Sequence, residues 1–106
     1  MKALIPATQL QAIPHLSNEF SKDSLIYAHI FGATYDYWVM GYDPEDRTLF
    51  GFAKLSSCPD GAEFGYQSLT ELEETNESLK SKGKYLLLLE NETSWQPVPF
   101  NSIDTK

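Results

Sequence analysis

Asp43, Glu45 and Asp46 put three carboxylates within four residues, and hard divalent cations prefer oxygen ligands of this kind. The segment lacks the central glycine and distal glutamate of an EF-hand loop. Asp43-Pro44-Glu45-Asp46 therefore reads as a solvated turn in which proline presets φ. His29 could act as a general base, but no Ser, Cys or Asp near it in sequence identifies a partner, which favours a hydrogen-bonded structural histidine. His15, directly after Pro14, reads as exposed. Cys58 stands beside Pro59 with only Lys54 nearby to favour a thiolate, a poor setting for a nucleophile. Among the acids, Glu71 occupies a helix-cap position where the backbone would hold it, whereas Glu63 is not held in this way. One cysteine and two histidines make a Cys/His zinc site implausible. No P-loop, dinucleotide-binding glycine pattern or catalytic-triad signature occurs, so no cofactor is implied.

The elements that must position these groups fit one domain spanning residues 1–106. A chain of this length can bury one modest core. It is 42% hydrophobic and 13% aromatic, too apolar for a disordered chain. Pro6 and Thr8 open a short helical turn carrying Leu10 and Ile13, which Pro14 closes. Residues 17–24 read as a polar connection anchored by Phe20. Leu25 to Phe31 and Tyr35 to Tyr42 read as a β-hairpin, Leu49 to Leu55 as a third strand, and Glu63 to Gln67 as a fourth after a turn at Pro59-Asp60-Gly61. Tyr35 to Tyr42 is partly apolar on both faces, as expected of a strand covered by a helix on one side and by aromatics on the other.

Ser68 and Glu71 form a Ser-x-x-Glu capping box, so the main helix starts there and runs over about 69–82. Leu69, Leu72, Asn76 and Leu79 fall along one helical face. Glu71, Glu73 and Glu74 complement the positive end of the helix dipole, and Lys80, Lys82 and Lys84 the negative end. Gly83 reads as a left-handed C-cap and Tyr85 to Leu89 as a buried strand. Trp95 to Phe100, with Pro97 and Pro99, reads as an extended tail or edge strand. The predicted fold is α+β: a mainly antiparallel sheet of about five strands, one main helix and a short N-terminal helical turn.

The net charge of −7 is concentrated in the second half. Six acids face four bases up to residue 59, and nine face four from 60 to 106, giving −2 and −5. Eight scattered bases make no phosphate-binding field, which argues against direct nucleic-acid binding. The first sixteen residues have no apolar run of signal-peptide length. The longest apolar run, Tyr85 to Leu89, is far short of the roughly 20 residues that span a bilayer. The expectation is a cytoplasmic protein without a membrane segment. The Asn-x-Ser/Thr triplets at Asn76 and Asn91 then carry no glycan.

Tyr35, Tyr37, Trp38, Tyr42, Tyr66 and Trp95 exceed what a core this small can cover. Tyr35, Tyr37, Trp38 and Tyr42, with Glu63 and Tyr66, form the candidate interaction surface. Leu4-Ile5-Pro6, Ile13-Pro14, Trp38, Leu49-Phe50-Gly51 and the segment Glu63-Phe64-Gly65-Tyr66-Gln67-Ser68-Leu69-Thr70-Glu71-Leu72 resemble the pattern of a bacterial domain-of-unknown-function family. Its members are about 100 residues long and are often encoded on plasmids and other mobile elements. The E-x-G-Y-x-S-L-x-E-L motif is its most specific part. Where that family carries an E-R-D-like segment, this chain has Glu90-Asn91-Glu92, which leaves out the arginine. The resemblance implies no catalytic residue. The first functional reading is a non-enzymatic, acidic accessory protein that binds a basic protein partner. The second is a small enzyme or ligand binder with a pocket between the aromatic strand and the helix cap, using Glu63.

Overall fold

The structure is a computed structural model that describes residues 3–55 and 58–103, without the side chains of 58 and 59. Chain order is α1 (Ala7–Ala12), β1 (Leu25–Ile26), β2 (Ala28–Phe31), β3 (Tyr35–Asp43), β4 (Thr48–Leu55), β5 (Cys58–Ser68), α2 (Leu69–Ser81), β6 (Glu90–Asn91) and β7 (Val98–Pro99). Short 3₁₀ turns occupy Tyr85–Leu87 and Phe100–Ser102. Five strands form an antiparallel sheet in the order β5-β4-β3-β2-β6, and β1 pairs with β7 in a separate two-stranded ribbon. The α+β architecture is the expected one.

Strand alternation sends two sets of apolar side chains to opposite faces of this sheet. On one face Ala28, Ile30, Tyr37, Val39 and Leu49 pack against Leu69 and Leu72 of α2 and against Ile5 and Ile13 from the N-terminal segment. On the other, Trp38 and Met40 are covered by Ile26, Phe20, Trp95, Phe100 and Ile103 and flanked by Phe50 and Phe52. Phe20 stacks on Phe50 with ring centroids 5.4 Å apart, so the polar 17–24 connection is tied down by its one aromatic. The Trp95 indole N–H donates to the Ile26 carbonyl at 2.9 Å and fixes the C-terminal segment over this second layer.

Three expected elements differ. The expected strand at Leu25 to Phe31 is broken at Tyr27, where the chain passes from the β1–β7 ribbon into the main sheet. Pro59-Asp60-Gly61 is not a turn but part of β5, in an irregular stretch where the β4–β5 register breaks and the proline has no ladder partner among the described residues. Tyr85 to Leu89 is not a buried strand. Residues 85–87 form an exposed 3₁₀ turn, and the sheet position beside β2 is taken by Glu90 and Asn91.

A β-bulge between Val39 and Gly41 shifts the β3–β4 register and brings the strands together next to Gly51. A methyl group on Gly51 would overlap the Trp38 carbonyl oxygen, which is rigid backbone. Gly65, its partner on β5, has nothing within 4 Å of a Cβ. Gly51→Ala is therefore expected to cost about 3 kcal/mol, lowering the thermal midpoint by roughly 10–20 °C. Gly65→Ala should leave stability unchanged or raise it by up to about 1 kcal/mol. Thermal unfolding followed by circular dichroism checks both.

Candidate functional site

A two-bond ion pair joins the β3–β4 turn to α2. Arg47, the last residue of that turn, has φ +58, a left-handed conformation that costs a non-glycine residue about 1–2 kcal/mol. That geometry turns its carbonyl toward α2, where it accepts from the Leu69 N–H at 2.9 Å. The guanidinium donates to Glu73 Oε1 at 2.8 Å and Oε2 at 3.1 Å, and to the Thr70 hydroxyl at 3.0 Å. Glu73 Oε2 also accepts from the Leu4 N–H at 3.0 Å. Burial pushes the Glu73 carboxyl up, but the bonds from Arg47 and Leu4 and the guanidinium charge outweigh it and hold the group below the usual carboxylate range. Glu73 is thus a core residue rather than a surface complement to the helix dipole. The helical spacing Leu69, Leu72, Glu73, Asn76 contained the signal, as did the presence of a single arginine in the chain.

The Ser68 cap forms as the sequence indicates, with its hydroxyl accepting from the Glu71 N–H at 3.2 Å. Asp43 and Asp46 serve their own turn. Asp43 Oδ1 accepts from the Glu45 N–H and Asp46 Oδ1 from the Thr48 N–H, the side-chain-to-backbone bonds expected of Asp in turns. The reactive atom of Cys58 lies outside the described residues.

His29 has the partners that the linear sequence did not reveal. Its Nε2 lies 2.8 Å from Asp36 Oδ1 on β3, and its Nδ1 lies 2.9 Å from Glu92 Oε1 beyond β6. The ring stacks on Trp38 at 5.1 Å and is nearly parallel to it. Both nitrogens lie within hydrogen-bonding distance of a carboxylate. The histidine clamps β2, β3 and the C-terminal segment together.

Of the six residues expected on an interaction surface, Tyr37, Trp38 and Tyr42 are buried in the core and offer no face to a partner. Tyr37 donates to the Gly65 carbonyl at 2.8 Å across β4, and burial, with Tyr35 beside it, pushes its phenol well above the usual value. Tyr35 is half-buried, and burial pushes its phenol up to about 12. Glu63 and Tyr66 are exposed on β5, where Tyr66 retains 67% of its surface and Phe64 38%. Sequence reasoning did not single out Phe64. Its register with Phe52, and that of Tyr66 with Phe50, continues the aromatic layer to the sheet edge. Beyond β5 no strand follows among the described residues, and Asp60 and Glu63 are exposed along the same strand.

A groove of about 740 Å³ opens elsewhere, between the C-terminal half of α2, the end of β2 and residues 85–91. It is lined by neither Glu63, Tyr66 nor Ser68, so it is not a pocket between the aromatic strand and the helix cap. No helix among the described residues is long and apolar enough to cross a membrane.

Fold and site together define a small α+β domain with an open, aromatic and acidic sheet edge. Comparison with protein-family models, curated proteins and solved structures finds no match to this chain.

The Arg47–Glu73 pair makes stability depend on pH. A carboxyl held low in the folded chain is protonated first in the unfolded chain, so stability rises with pH across the interval between the two values. The contribution is complete above the unfolded value of about 4.3 and is lost as pH falls through the lower folded value. Glu73→Gln is expected to cost about 2–3 kcal/mol at pH 7 in urea unfolding. The gap to the unsubstituted protein should narrow steadily below about pH 4.

Proposed function

We propose that this chain is a cytoplasmic, non-catalytic interaction protein that binds a basic protein partner along β5. The observation that carries the reading is the open edge of that strand, with Phe64 and Tyr66 exposed on one face and Asp60 and Glu63 exposed along it. An extended segment of the partner would add as a further strand. Main-chain hydrogen bonds would supply affinity, and pockets for alternate side chains would supply specificity. Lysine or arginine on that segment would meet Asp60 and Glu63, while apolar residues would extend the layer of Phe50, Phe52 and Phe64. The net charge of −7 favours a basic partner at long range and disfavours nucleic acid, so association should be fast and salt-sensitive. An accessory role of this kind suits the mobile-element setting of the family whose motif the chain resembles.

The test is capture from a lysate of the source cells by protein carrying a photo-cross-linker at position 66. The expected result is a basic protein cross-linked when the lysate is irradiated at about 50 mM salt and largely missing when it is irradiated at about 500 mM, where screening shortens to a few ångströms. Asp60→Lys combined with Glu63→Lys, which reverses two exposed charges along the edge, should abolish capture while the fold is kept. Capture that is unchanged by salt and by these substitutions would contradict the reading.

A further inference from the structure

The most exposed large apolar residue among those described is Leu86, on the turn that follows α2. Leu86 is 93% exposed, Tyr85 63% and Leu87 47%, three in succession. The turn is firmly held. Gly83, at φ +71, ends the helix, and the Lys84 N–H donates to the Leu79 carbonyl at 2.8 Å. After the turn, the Asn76 side chain both donates to the Leu89 carbonyl at 2.9 Å and accepts from the Leu89 N–H at 2.8 Å, as a neighbouring strand would. Pinned at both ends, the turn projects Leu86 as a fixed apolar knob.

The same segment forms one wall of the 740 Å³ groove, whose apolar lining includes Leu4, Pro6, Phe31, Leu88 and Leu89. A knob beside a groove on one surface suits a two-fold arrangement, in which each copy's knob would lie in the other's groove. Charge selects this occupant over others. Lys82 and Lys84 precede the knob and Glu90 follows it, all exposed, so the two-fold brings the lysines of one copy toward the glutamate of the other. The lysines would repel a basic partner. The three knob residues expose roughly 400 Å² per copy, and covering knob and groove on both copies approaches the roughly 1,200 Å² at which specific interfaces begin.

We infer that the Tyr85–Leu87 turn and its adjoining groove form a two-fold self-association surface, weak enough for a monomer–dimer equilibrium and separate from the β5 edge. Sedimentation equilibrium of the full chain from about 1 µM to about 1 mM reads it directly. The expected result is a reversible dimer, with Leu86→Asp weakening association roughly a hundredfold, tenfold for each of the two leucines buried. Because Leu86 is exposed, its circular dichroism and thermal midpoint should not change. Lys84→Glu should weaken the dimer, and adding Glu90→Lys should restore it. A monomer throughout the range overturns the inference. So does a dimer that survives Leu86→Asp, which would point to β5, or a monomer whose Leu86 drives binding to phosphatidylserine vesicles.

Discussion

The two hydrogen bonds between the Arg47 guanidinium and the buried Glu73 carboxylate hold the main helix on its sheet. A carboxylate removed from water is costly unless it is paired and hydrogen-bonded, and here a guanidinium and a backbone N–H meet that requirement together. The bonds reach from the β3–β4 turn to α2 and from α2 to Leu4, 26 and 69 residues apart in sequence. Arg47 accepts a left-handed backbone to make them, and the same conformation lets its carbonyl take the first amide of the helix. One strained residue thereby fixes the axial position of α2, and with it the leucines that close the first core layer.

Two further polar clamps of long sequence reach repeat the arrangement on a smaller scale. His29 ties β2 and β3 to the segment beyond β6, and Asn76 ties α2 to Leu89. Gln9 adds a third link, donating to the Tyr27 carbonyl and accepting from Asn91. A domain of this size gains limited stability from its core, and these contacts secure the edges that apolar packing does not cover. They also decide what stays outside. With α2 and the C-terminal segment fastened over β2, β3 and β4, β5 keeps one free side, and the turn after α2 is left projecting.

What could be read from the sequence was local. The Ser68 cap, the Gly83 stop, the closure of α1 by Pro14 and the hairpin of β2 with β3 each depend on residues a few positions apart, and each was legible. The rest depended on neighbours remote in the chain. Tyr85 to Leu89 has the composition of a buried strand, but Asn76 and the pairing of Glu90 with Phe31 fill the place it would take. Pro59 and Gly61 read as a turn because composition does not reveal that the strand runs on through an irregular stretch, where proline is allowed. The aromatic count suggested an interaction face but not which rings would show. Tyr37, Trp38 and Tyr42 belong to a central strand covered on both faces, whereas Phe64 and Tyr66, of similar chemistry, sit on the last strand. Glu73 looked like one acid among three until its helical position was set beside a lone arginine.

Binding along β5 requires that its outer edge be uncovered in the free protein. Amide hydrogen exchange resolved by residue tests it most directly. Because alternate N–H groups of an edge strand point toward β4 and away from it, exchange should alternate along the regularly paired residues 63–67, slow where the amide bonds β4 and fast where it faces solvent. Amides of β3 from Asp36 to Val39, paired on both sides, should be slow throughout. Uniform protection along β5 in the isolated monomer would mean that its outer side is already covered, and would contradict the account.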